Sequence, residues 1–203
     1  MRHQVLRMDP EEEKRFIKEI LDGIARRRGY ADSFEWRPDR NLEEYSVVKL
    51  FCQALEKESK SFIDSNSIFS RGRGNDPPDC EANDLEGNLI GIEVTELVDP
   101  QAIIASKKDK VYDWAEWDKT KLINFINNRL KEKDIPGQMK GGPYKNYVLI
   151  IYTDEPGLNV DCVKTLLKEY RFARRDLIDR AFFFIFYDPE YRTYPCIELE
   201  FAT

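Results

Sequence analysis

Apolar residues recur along this chain at two periods, one helical and one extended. Within residues 9–28, Phe16, Ile17, Ile20, Leu21 and Ile24 fall on one helical stripe. Asp9 can cap that helix, Pro10 suits its first position, and Glu11, Glu12 and Glu13 face the positive end of its dipole. Arg26, Arg27, Arg28 and Gly29 close it. After a connector over 30–40, a second helix is predicted over 42–60, capped by Asn41, with Tyr45, Val48, Phe51, Cys52 and Leu55 as its stripe. A third is predicted over 112–133, and a fourth after Asn159 or Asp161, carrying Val163, Leu166, Leu167 and Tyr170. Residues 147–153 and 181–187 are continuously apolar, as strands covered on both faces are. Residues 67–70 form a short strand, and 196–201 alternate like an edge strand. The order of elements gives an α/β protein, a three-layer α/β/α arrangement around a central mixed sheet. Residues 1–40 form an N-terminal helix and connector, and 41–203 form the core.

The most informative pattern is a hairpin. Strands around Asp79-Cys80-Glu81 and Gly91-Ile92-Glu93-Val94-Thr95 flank the turn signal Glu86-Gly87-Asn88. Folding about position 86 sets Asp79 opposite Glu93. Ile90, Ile92 and Val94 then point into the core, while Glu93 and Thr95 share the other face with Asp79 and Glu81. Gly91 would leave open space near Glu81 for a close-approaching ligand. Two carboxylates held close repel each other, and a divalent cation between them relieves that repulsion. Glu44 lies four residues before Val48 and extends the stripe of the second helix. It is either a third acid of the site or a cap of the helix start.

Charge adds to this picture. The chain carries 38 acidic and 32 basic residues, a net of −6, which argues against non-specific coating of nucleic acid. The distribution is uneven, with eight acids and no base over residues 76–99, then ten bases and six acids over 101–147. The loop over 71–75 holds Arg71 and Arg73, and Lys119 and Lys121 stand on the helix that follows the hairpin. Trp114 and Trp117 either stack on bases or pack in the core. The single histidine, His3, leaves no histidine base for triad-type catalysis. The four scattered cysteines form no zinc motif. No apolar run is long enough to cross a membrane, and no apolar leader opens the chain, so a cytoplasmic location is expected.

At Pro78-Asp79 and Glu93-Val94-Thr95, preceded by a helix carrying Glu44 and followed by a helix and further strands, the chain resembles the PD-(D/E)xK nuclease superfamily, with its restriction-endonuclease-like fold. That resemblance implies an Mg²⁺- or Mn²⁺-dependent nuclease acting on nucleic acid, DNA in the first instance, with a homodimer where both strands are cut. It implies Asp79, Glu93 and the carbonyl of Val94 as metal ligands. Asp79, Glu93, Thr95, Glu44 and a lysine are then the catalytic set, and Arg71, Arg73 and Lys121 the contacts to the backbone of the nucleic acid. The family pattern has lysine where this chain has Thr95. In such families a lysine on the following helix can replace it, and Lys119, on the apolar stripe, is the first choice. The alternative is a weakened or inactive member of the fold that binds nucleic acid or a protein partner.

Overall fold

The computed structural model describes residues 40–202, apart from 73, 107, 109–115, 156, 187 and 189–192. The helix expected over 9–28 lies outside those residues, as do Arg73 and Trp114. Helix α1 spans Arg40–Lys57. Strands β1 (Phe69–Ser70), β2 (Cys80–Asn83) and β3 (Leu89–Glu96) follow, then α2 (Pro100–Ser106) and α3 (Lys119–Lys133). A 3-10 turn (Pro136–Gln138), strand β4 (Asn146–Thr153), helix α4 (Val160–Leu167), β5 (Arg180–Ile185) and β6 (Cys196–Glu198) complete the described elements.

The six strands form one mixed sheet in the order of the chain, β1 to β6. β3, β4 and β5 run parallel, and the remaining pairings are antiparallel. A parallel neighbour requires a crossover, and α3 and α4 provide the two crossovers. Both pack on one face of the sheet. There Leu122, Ile126 and Leu130 of α3 meet Tyr147, Leu149 and Ile151 of β4, and Val163 of α4 and Phe183 join the same cluster. The opposite face is covered by α1, whose Val47, Val48, Phe51 and Cys52 pack on Ile90, Ile92, Val94, Val148 and Ile150. The layers are therefore helix, sheet, helix.

The continuous apolar runs follow from this sandwiching. On β5, Phe182 and Phe184 face α1 while Phe183 faces α3 and α4, and all three are at most 1% exposed. Phe51 packs edge-on against Phe182 and Phe184, with ring centroids 5.0 and 6.0 Å apart. Each such ring removed from water contributes on the order of 2–3 kcal/mol. At the sheet edge, Ile197, Leu199 and Phe201 turn toward the α3–α4 side as the alternation predicts. The strand itself is shorter than expected, because Phe201 bridges Phe172 instead of continuing along β5. No helix among the described residues is long and apolar enough to cross a membrane.

Candidate active site on the hairpin and the end of the third helix

The pairing of β2 with β3 matches Cys80 to Ile92, Glu81 to Gly91, Ala82 to Ile90 and Asn83 to Leu89. Continued by one residue, that register sets Asp79 against Glu93, as the turn position requires. Cys80, Ala82, Ile90 and Ile92 face α1, so Asp79 and Glu93 face the opposite side. Both are buried, at 4% and 3% exposure.

Each carboxylate is held. Asp79 Oδ2 accepts a hydrogen bond from the Val94 backbone N–H at 2.8 Å. A strand residue directs its N–H and C=O to the same side, so the Val94 carbonyl also faces the end of β2 where Asp79 lies. Glu93 Oε1 is 2.5 Å from Lys133 Nζ, and its Oε2 accepts from the Tyr147 hydroxyl at 3.3 Å. Thr95 is half-buried and lies two residues further along the same face of β3, about 7 Å from Glu93 at the usual strand rise. Glu44, half-buried near the start of α1, acts on Asp79 electrostatically.

The negative charge at this point is only partly offset. Burial pushes the Asp79 carboxyl up to about 7, and the nearby negative charges of Glu93 and Glu44 add to the effect. The Val94 N–H and the Lys133 ammonium pull the other way without cancelling it. Burial and the charge of Glu93 likewise raise the Tyr147 phenol, which therefore stays a donor to Glu93.

Beside the two acids opens a cleft of about 330 Å³. Its lining includes Asp79, Glu93 and Lys133 together with the apolar Pro77, Ile135, Met139 and Leu177. Among the described residues no group of three or more His, Cys, Asp or Glu side chains stands together as a metal cage. The oxygen donors present, two carboxylates and a carbonyl, nevertheless suit magnesium, which takes few protein ligands and keeps several waters. The raised Asp79 carboxyl fits the same reading, since a bound cation would offset the charge that burial penalises.

Other expected residues lie elsewhere. Lys119 is the first residue of α3, is exposed, and reaches the Lys168 carbonyl at 3.4 Å. It stands 14 residues, about 21 Å of helix, from Lys133. Lys121 bridges Asp99 at 2.7 Å and lies over the Trp117 ring, 4.4 Å from its centroid. Arg71 is bound through Nη1 to Glu81 and to the Tyr144 hydroxyl. Trp117 is a core residue, edge-on to Phe125. Gly91 opens no space, since a Cβ there would stand 3.0 Å from the Tyr147 ring and 3.2 Å from Pro78. The glycine serves close packing of the hairpin against that ring.

Lys133 was not among the expected residues, yet a signal for it exists. It follows Ile126 and Leu130 at helical spacing and so continues the buried stripe of α3. Topology decides which end of the stripe meets the acids. A crossover helix runs antiparallel to the parallel strands it joins. The start of α3 therefore lies toward the end of β3, and its last turn returns toward Glu93. Comparison with protein-family models, curated proteins and solved structures finds no match for this chain.

Proposed function

We propose that the chain is a divalent-metal-dependent nuclease of the PD-(D/E)xK type, hydrolysing phosphodiester bonds in nucleic acid. The observation that carries the reading is the buried Asp79–Glu93 pair facing one cleft, with Lys133 in contact with Glu93. Asp79, Glu93 and the Val94 carbonyl are the groups that would hold Mg²⁺ or Mn²⁺. Bound there, the cation would lower the pKa of a water and stabilise charge developing on the phosphate.

The chain's own groups divide the remaining work. The Val94 N–H fixes the Asp79 rotamer, and the Tyr147 hydroxyl fixes that of Glu93. Lys133 supplies the cation that Thr95 cannot, and it stands where it can orient a water and meet the growing negative charge. Its contact with Glu93 brings a cation to the acids, whereas the threonine and the acidic balance of the chain favour the alternative of an inactive member of the fold. Thr95, on the same face, can hold a water by its hydroxyl. Glu44 keeps the acidic end negative and so favours occupancy by a cation.

The test is a cleavage assay on labelled DNA and RNA oligonucleotides with Mg²⁺ or Mn²⁺. Wild-type protein should cut, and Asp79→Ala and Glu93→Ala should each reduce cutting to background. A doubly substituted protein that cuts as well as wild type would contradict the assignment.

A further inference from the structure

We infer that the cleft receives a single unpaired nucleotide, so that the strand is single at the point of cutting. This rests on the nuclease reading above and narrows its substrate. Three features of the cleft support it. The first is size: about 330 Å³ is at the small end of pockets that take one ligand, the scale of a single nucleotide.

The second is the make-up of the lining. Besides the acids it includes Ile135, Met139 and Leu177, aliphatic and thioether side chains to which the flat face of a base is complementary. Ile135 is one of the few large apolar side chains left exposed, at 39%. The Gln138 amide, also lining the cleft, can pair with a base edge by donating and accepting at once. The third is charge. Asp76 and Glu132 add two more carboxylates to the lining, where Lys133 is the one cation among the described lining residues. A run of phosphates would be repelled there, whereas a neutral base and sugar would not, and the one phosphate would lie beside Lys133.

The wall is braced by bonds within the chain. The Asp134 carboxylate accepts from the backbone N–H groups of Asp176 at 3.1 Å and Leu177 at 2.8 Å. These bonds fasten the Leu177 loop to the end of α3, one residue after Lys133. The apolar wall and the cation are thereby held in one frame, which suits recognition of an unstacked base.

The experiment compares a labelled single strand with its blunt duplex in Mn²⁺, together with anisotropy of both in Ca²⁺. The single strand should show a kcat/KM at least about 10-fold higher and should bind more tightly. Ile135→Trp, which fills the cleft from an exposed position, should raise KM for the single strand about 10-fold while the calorimetric affinity for Mn²⁺ stays unchanged. Gln138→Trp serves the same purpose should the first variant fold poorly. Equal or faster cutting of the duplex, or an unchanged KM in both variants, overturns the inference and leaves the nuclease reading standing. A wild-type protein that neither binds Mn²⁺ nor cuts any strand overturns both.

Discussion

Replacing Asp79 with asparagine should change how the stability of the metal-free protein depends on pH. An Asp carboxyl titrates near 3.8 in the unfolded chain and is pushed up to about 7 in the fold. The sign follows from linkage. A carboxyl whose folded pKa is raised carries no penalty while both states are protonated. It then destabilises the fold progressively as pH rises from about 4 to about 7, and the penalty levels off above that. Between pH 5 and pH 8 the loss amounts to about 2–3 kcal/mol at 1.36 kcal/mol per unit. Asparagine removes the charge while its side-chain oxygen still accepts from the Val94 N–H, and its shape is nearly the same. Urea unfolding in EDTA, followed by circular dichroism at pH 5 and pH 8, measures the effect. The difference in stability between Asp79→Asn and wild type should grow by about 2–3 kcal/mol in favour of the variant as pH rises, other titrations being common to both proteins. Parallel pH profiles would refute the reasoning, because Asp79 would then be an ordinary ionised carboxylate.

Lys133→Met keeps the length of the side chain and removes its charge. It should lower kcat about 100-fold, on the scale of about 3 kcal/mol of lost transition-state stabilisation, whereas Lys119→Ala should stay within about twofold of wild type in the same cleavage assay. Gly91→Ala forces a Cβ to within 3.0 Å of the Tyr147 ring, and denaturant unfolding should register a loss of about 1–3 kcal/mol. Metal affinity should rise with pH up to about 7, because the cation must displace the Asp79 proton, and calorimetry with Mn²⁺ at pH 5.5 and 7.5 reads this directly.

What the sequence disclosed and what it hid divide along the range of the interactions involved. The hairpin was legible because a turn signal and two alternating strands fix a register locally, and a slip of one residue would turn Ile90 and Ile92 toward the acids. The apolar runs of β4 and β5 were legible because burial on both faces leaves no polar position to confuse the period. Lys133 was hidden by its surroundings, since Lys131 and Glu132 beside it suggest a solvated helix end. Finding it required extending the stripe beyond Leu130 and knowing the direction of the crossover, which is a property of the sheet. The start of α3 also lay later than the apolar pattern suggested. Asp118 caps the helix by accepting from the Lys121 N–H, so Lys119 opens the helix instead of standing within it. The engagement of Arg71 was hidden for a related reason. Its partner Tyr144 lies 73 residues away, and only the folded sheet edge brings the two together.

The most direct test of the account is a crystal soaked in Mn²⁺ and measured for anomalous scattering at the manganese edge. A peak is expected between the Asp79 and Glu93 carboxylates, about 2.0–2.2 Å from an oxygen of each, with the Val94 carbonyl facing it and Lys133 at hand. A map with no peak at that position, or with manganese bound only at sites touching neither carboxylate, would contradict it.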